Sequence, residues 1–250
     1  MALLSGCNLV VLAPSGDVAS RQSDLILLST GLMLVIVIPV MILTVWFAWH
    51  YRQSNAEARY EPGWDHSTHL ELAIWSAPLL IIICLGALTW MATHLLDPYR
   101  PLSRIAPGQP VPAGTQPLRV QVVALDWKWL FIYPDYELAT VNSLVAPVDR
   151  PIEFRLTAAS VMNSFYVPAL AGQIYAMAGM DNDVHLIADE EGVYPGRSTN
   201  YSGAGFSGMT FDAHVTSSAE FDAWVDNVRA ADDTLTFPDG YEALAQPTEY

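Results

Sequence analysis

Two uninterrupted apolar runs, Leu25 to Trp49 and Leu72 to Leu96, decide most of what this chain can fold into. Neither contains an Asp, Glu, Lys or Arg, and each exceeds the ~20 residues an α-helix needs to cross the hydrocarbon core of a bilayer. A soluble fold would have to bury both runs inside a chain with little other helix to cover them. Composition argues the same way: 52% of the 250 residues are apolar and only 15% are charged, against about 25% charged in ordinary soluble domains. The runs are therefore expected to be transmembrane helices.

Pro39 and Pro78 lie inside these runs, where each removes a backbone donor and is expected to bend its helix against a protein neighbour. Trp46, Trp49 and Tyr51 close the first run, and Trp75 and Trp90 bracket much of the second, as aromatic side chains do at membrane interfaces. The polar stretch of about 50–70 between them is short, so the two helices are expected to form a hairpin with both outer ends on one side. In that stretch Arg52 and Arg59 stand against Glu57, Glu61 and Asp65, which favours a cytoplasmic loop weakly. Leu4-Ser5-Gly6-Cys7 has the form of a bacterial lipobox, whose cysteine is lipidated outside the cytoplasm. The six residues before Cys7 lack a basic region and a full apolar region, so an unmodified cysteine is the alternative. Cys84 lies mid-run and reads as a small apolar packing residue; no intramolecular disulfide or metal-site spacing links the two cysteines.

Beyond a Pro- and Gly-rich stretch from Leu102 to Thr115, expected as a linker, the pattern changes to short runs with partial alternation. These are Leu118 to Leu125, Trp127 to Tyr133, Pro151 to Thr157, Val161 to Val167, Val184 to Ala188 and Met209 to Val215. Several such strands within about 100 residues predict a β-sandwich or barrel. Ser217-Ser-Ala-Glu220 is a capping box, predicting a final helix through Phe221, Trp224, Val225 and Val228.

From residue 117 onward there are 19 Asp and Glu against 6 Lys and Arg, most of the chain's net charge of −15. Nucleic acid is thereby excluded as a natural partner, because phosphate binding needs a basic footprint. The scattered acids read as a solubilising surface rather than as a docking face for a basic electron carrier. No nucleophile elbow, zinc-protease motif or phosphate loop is present. His185 and His214 fall in strand-like runs, as surface or satisfied core histidines.

The segment Ser198 to Met209 has the spacing of a copper-binding loop, C-x-E-x-C-G-x-x-H-x-x-M, which gathers soft and borderline ligands. At those offsets stand Ser198, Asn200, Ser202, Gly203, Phe206 and Met209; hydroxyl, amide and phenyl groups do not suit copper. A membrane hairpin, the opening Asp126-Trp-Lys-Trp129 and this altered loop together resemble subunit II of the haem-copper respiratory oxidases. In copper-containing members a histidine begins an H-S-[FW]-x-V-P segment, and this chain has Asn163-Ser-Phe-Tyr-Val-Pro168. The segments 160–165, 173–180 and 200–209 closely resemble the bo-type ubiquinol oxidase branch, whose subunit II is a lipoprotein without the dinuclear copper centre.

The resemblance implies a membrane hairpin plus an exported, cupredoxin-like all-β sandwich with a C-terminal helix. The expected divisions are 1–24 (lipobox and exported segment), 25–96 (hairpin), 97–116 (linker), 117–216 (periplasmic sandwich) and 217–250 (helix and tail). It further implies a metal-free, non-catalytic subunit in a bacterial inner-membrane complex that oxidises quinol, reduces oxygen to water and translocates protons. Haems, copper and the quinol site are then expected in subunit I, with a palmitate-type lipid on Cys7 and membrane lipid around the hairpin. Glu71, at the start of the second run, matches a glutamate that the family commonly places at the mouth of a proton path, although an acid there is also favoured by the helix dipole. A free-standing cupredoxin-like lipoprotein, or an electron-accepting cytochrome c oxidase subunit, are the alternatives.

Overall fold

The computed structural model describes residues 9–59, 61–231 and 233–248. The chain divides into two units, one of residues 24–95 and one combining the N-terminal segment up to Ser23 with everything from Leu96 onward.

The first unit carries two long helices, α1 (Asp17–His50, which begins in the other unit) and α2 (Thr68–Leu95). Both are long and apolar enough to cross a membrane, and Pro39 and Pro78 sit inside them. Their apolar side chains point outward: Val45 is 70% and Trp75 is 76% exposed. In water this would be untenable; in lipid it is the stable arrangement, because the helix satisfies its own backbone and presents hydrocarbon to hydrocarbon.

The second unit is a two-sheet sandwich. Its strands are β1 (Arg104–Ala106), β2 (Gln109–Pro110), β3 (Leu118–Leu125), β4 (Lys128–Tyr133), β5 (Leu138–Val141), β6 (Ser143–Pro147), β7 (Ile152–Ala158), β8 (Asn163–Tyr166), β9 (Ile174–Ala176), β10 (Asn182–Leu186), β11 (Gly192–Ser198) and β12 (Thr210–Thr216). One sheet runs β10-β7-β3-β4-β5 and the other β6-β12-β11-β8-β9, with β1 and β2 forming a small separate ribbon. The pairs β3/β7 and β6/β12 are parallel; the rest are antiparallel.

Alternation explains the layers. In β3, Leu118, Val120, Val122 and Ala124 are buried while Arg119 and Gln121 face water, the period-2 pattern of a half-buried strand. Between the sheets lies an aromatic centre of Trp129, Phe131, Phe154, Phe165 and Phe211. Phe165 stacks on Phe211 with centroids 5.1 Å apart, and Trp129 meets both edge-on at 5.5 and 5.8 Å. Each such ring contributes about 1.5–3 kcal/mol by burial alone. Tyr133 is also fully buried, and its hydroxyl donates to the Val145 carbonyl (2.9 Å) while accepting from the Val145 amide (2.8 Å). Burial raises the phenol well above its ordinary pKa, with the Val145 hydrogen bond pulling the other way.

The capping box forms as the sequence predicts. Ser217 accepts from the Glu220 amide, Glu220 returns the bond to the Ser217 backbone, and α3 (Ser218–Arg229) follows. Phe221 and Val225 are its buried face, and Tyr136 meets Phe221 edge-on at 5.4 Å. A short α4 (Asp239–Leu244) ends the described fold.

One feature departs from the sequence expectations. The Pro- and Gly-rich stretch read as a linker carries β1 and β2 and buries Ile105, because Gly108 supplies the left-handed turn between them (φ 82°). In the same unit, Asp17 opens α1 with its side chain fully buried. Arg104 of β1 contacts its Oδ1 through Nε and Nη2 (2.8 and 2.7 Å), and Arg21 reaches Oδ2 at 2.8 Å. Gly16 fits closely enough that a Cβ would lie 2.5 Å from the Ile187 carbonyl.

Candidate functional site

The residues at the copper-loop offsets are positioned by β8, by the end of β11 and by the loop that returns into β12. β8 and β11 pair with Ser198 opposite Phe165, so Asn163 and Ser198 reach the same end of the sheet. The loop closes where the Ser198 amide donates to the Met209 carbonyl at 3.1 Å.

Three of these positions are joined directly. The buried Ser198 hydroxyl donates to Asn163 Oδ1 at 3.1 Å, with the Asn200 carbonyl at 3.4 Å beside it, and accepts from the Ser164 amide at 3.4 Å. Asn163 Nδ2 donates to the Val161 carbonyl at 3.2 Å, and Asn200 Nδ2 to the Met162 carbonyl at 2.9 Å. Gln173 Oε1 extends the network by accepting from Thr199 (2.7 Å) and Ser164 (3.4 Å). Buried polar groups demand such partners, and these groups supply them to one another.

Ser202, Phe206 and Met209 do not join that network. Phe206 turns its ring edge-on to Tyr201 at 5.6 Å, and Met209 is buried in the hydrophobic core. The Ser202 hydroxyl is buried without a hydrogen-bond partner, while its carbonyl accepts from Trp127 Nε1 at 3.0 Å. Trp127 is the residue that sequence reasoning left without a role. It lies against Gly203 and Gly205, where a Cβ would come within 2.8 and 2.6 Å of the indole. Two glycines two residues apart were the available signal for that close approach.

The copper-binding pattern to which these positions correspond draws on two Cys and two His, soft and borderline ligands that suit copper. At the corresponding places stand Asn163, Ser198, Ser202 and Phe206, so the residues do not fit the group. Among the described residues no group of three or more His, Cys, Asp and Glu is arranged to hold a metal. The histidines of the sandwich are used elsewhere: His185 donates through Nδ1 to the Pro98 carbonyl at 3.0 Å, and His214 lies half-buried on β12.

Glu71 lies in the first turn of α2 with Oε1 2.8 Å from His66 Nδ1. Cys7 falls outside the described residues. Cys84 is a free thiol on the exposed surface of α2.

Comparison with known proteins converges with this geometry. Residues 136–216 match the family described as cytochrome c oxidase subunit II, periplasmic domain. The chain is 54% identical over 249 residues to the cytochrome bo(3) ubiquinol oxidase subunit 2 of Pseudomonas putida, covering 100% of this chain and 76% of that one. It is 50% identical to the ubiquinol oxidase subunit 2 of Acetobacter aceti, over 99% of this chain and 78% of that one. The quinol oxidase subunit 2 of Bacillus subtilis is 38% identical over 98% of this chain and 74% of its own length. Among solved structures, the periplasmic domain of subunit II of cytochrome oxidase of Bradyrhizobium japonicum aligns with a TM-score of 0.44 at 24% identity, covering 48% of this chain and 96% of that one.

Proposed function

This chain belongs to the ubiquinol oxidase subunit 2 family, and we propose that within its oxidase it is a copper-free subunit through which no electrons pass. The complex is an oxidoreductase that oxidises quinol and reduces oxygen to water; this subunit is a non-catalytic part of it. The haems, the catalytic copper and the quinol site then reside in subunit I, against which the two helices pack.

The observation that carries the reading is the buried hydrogen bond from Ser198 to Asn163. It occupies the place where copper-containing relatives are expected to hold an imidazole and a thiolate. Hydroxyl and amide satisfy each other and need no cation, whereas two buried thiolates would be costly without one. Ser202 and Phe206, at the remaining ligand positions, offer no strong ligand either.

In this reading both outer helix ends and the sandwich face the periplasm, and the loop of about 50–70 faces the cytoplasm. Arg52 and Arg59 support that orientation. A lipid on Cys7 would add a second anchor beside the helices. Glu71, at the cytoplasmic end of α2, serves proton uptake into subunit I, consistent with an ionisable group at a membrane boundary.

Mild-detergent purification with a tag on this chain tests the assignment. Haem and a large many-helix subunit are expected to co-purify with the chain. A haem-free monomer would instead support a free-standing membrane lipoprotein and overturn the reading.

A further inference from the structure

The turn between β3 and β4, Asp126 to Lys128, is held by three other parts of the sandwich at once. Trp127 reaches the altered loop, donating from Nε1 to the Ser202 carbonyl at 3.0 Å and lying against Gly203 and Gly205. The Asp126 carboxylate accepts from the Ser160 hydroxyl, and the next two residues, Val161 and Met162, lend their carbonyls to the amides of Asn163 and Asn200. The turn therefore touches both arms of the candidate site.

Its third neighbour is the C-terminal tail. Pro247 has no amide hydrogen and cannot continue α4, and just beyond it the Thr248 amide donates to the Asp126 carbonyl at 3.2 Å. Lys128 Nζ donates to the Gln246 carbonyl at 3.0 Å and to Thr248 Oγ1 at 2.6 Å, and that hydroxyl donates in turn to the Gln246 carbonyl at 3.3 Å. Among the described residues, both acceptors of the Lys128 amine thus lie in the tail, 118 and 120 residues away. Lys128 is also the only lysine in the chain, and although 19 Asp and Glu lie beyond residue 117, its ammonium bonds to neutral oxygens of the tail. Bonds from a charged donor are stronger than neutral ones, so this one side chain sets how firmly the tail is held.

We propose that the tail from Ala245 to Thr248 is a strap, fastened by Lys128, that locks the Trp127 turn onto the altered loop. The β3/β4 ladder closes where Leu125 stands opposite Lys128, which leaves Asp126 and Trp127 as the two residues of the turn outside it. The strap bonds the first of them through its carbonyl and holds the side chain of the residue after the second. Both neighbours of Trp127 are then fixed, and with them the backbone from which the indole projects.

Solvent-facing bonds of this kind open locally, without unfolding the domain. The two sheets do not depend on the strap, since their ladders are complete without it. The altered loop does: its own backbone bonds are short turns, from the Phe206 amide to the Gly203 carbonyl at 3.2 Å, from Gly208 to Gly205 at 3.1 Å and from Met209 to Phe206 at 3.1 Å. Opening the strap therefore loosens Trp127 and the loop while the sandwich stays folded.

The test uses the whole purified oxidase with the intact chain, with the chain truncated after Ala245, or with Lys128→Met, which keeps a long side chain and removes its donors. An amine-acetylating reagent probes Lys128, read by mass spectrometry on the peptide that contains it, and hydrogen exchange probes the loop. Truncation is expected to raise the labelling rate of Lys128 about tenfold, the order set by losing a hydrogen bond to a charged group. Both variants should speed exchange of the 203–209 amides severalfold, while the paired amides of β3 and β7 exchange as slowly as in the intact chain. A labelling rate that truncation leaves unchanged would overturn the strap. Faster labelling with wild-type loop exchange would overturn its hold on the loop, and faster exchange in β3 and β7 as well would overturn it as a general loss of stability. Wild-type loop exchange in Lys128→Met, beside a loosened loop in the truncated chain, would overturn the role of Lys128 as the fastener.

Discussion

The Ser198 hydroxyl donates to Asn163 Oδ1 across 3.1 Å, with both residues at most 5% exposed. This bond joins β8 to the end of β11 and makes the altered loop a finished structure. A site that had lost its metal while keeping ionisable ligands would carry uncompensated charge. Here the hydroxyl, the amide and the Ser164 backbone amide satisfy one another, which is how buried polar groups remain affordable without an ion.

Replacing Ser198 with Ala removes the partner of Asn163 Oδ1 and of the Ser164 amide together. Leaving a buried group unsatisfied costs about 1–3 kcal/mol. Chemical denaturation of the purified chain, followed by tryptophan fluorescence, should show a lower midpoint for Ser198→Ala. An unchanged midpoint would mean that the pair does not hold the loop.

Gly205 tests the packing beneath the same loop. Its φ of −85° suits any residue, so the constraint is purely steric; a Cβ would lie 2.6 Å from the Trp127 ring. Gly205→Ala is expected to cost about 1–3 kcal/mol by overpacking and to weaken the bond from Trp127 to the Ser202 carbonyl. A shifted tryptophan emission with a lower melting temperature would report both effects.

Tyr133→Phe removes a hydroxyl that serves the Val145 amide and carbonyl at once. With each buried group left unsatisfied costing about 1–3 kcal/mol, this variant should be among the most destabilising single-atom deletions in the sandwich. Equilibrium denaturation measures it directly.

Asp189 sets a pH dependence. Desolvation holds its carboxyl above the ordinary carboxylate pKa, and the charges of Glu190, Asp149 and Asp17 add to the shift, against a local backbone hydrogen bond. One of its oxygens is buried without a hydrogen-bond partner. A folded-state pKa raised above the unfolded value means that the folded form binds the proton more tightly. Its stabilising contribution is therefore complete below the unfolded pKa and lost as pH rises through the folded one. Asp189→Asn should raise the melting temperature at neutral pH and flatten its pH dependence just above the ordinary carboxylate range. A variant that melts lower at neutral pH would contradict this.

Local signals carried much of the fold into the sequence. The charge-free runs mark α1 and α2, the alternation from Leu118 marks β3, and Ser217 with Glu220 fixes the start of α3. β11 was hidden because Gly192, Pro195 and Gly196 read as turn; Gly196 is there because a Cβ would strike the Phe211 ring at 2.1 Å. Asp17 gave no warning of its burial, since its partner Arg104 lies 87 residues away. At the candidate site Ser198, Asn200, Ser202, Phe206 and Met209 were legible from the spacing of the loop, and Asn163 from the resemblance of its segment to that of copper-containing oxidase subunits. Which of them bond to one another, and the parts played by Trp127 and Gln173, depend on long-range packing that no local pattern encodes.

The central claim is that electrons reach the oxidase from quinol and bypass this subunit. Oxygen consumption by the purified complex, supplied in turn with a quinol and with a reduced soluble cytochrome c, tests it most directly. The account predicts turnover with the quinol and none above background with the cytochrome. Sustained cytochrome-driven turnover would contradict it, because that route requires an electron-accepting centre which Asn163, Ser198, Ser202 and Phe206 are not equipped to form.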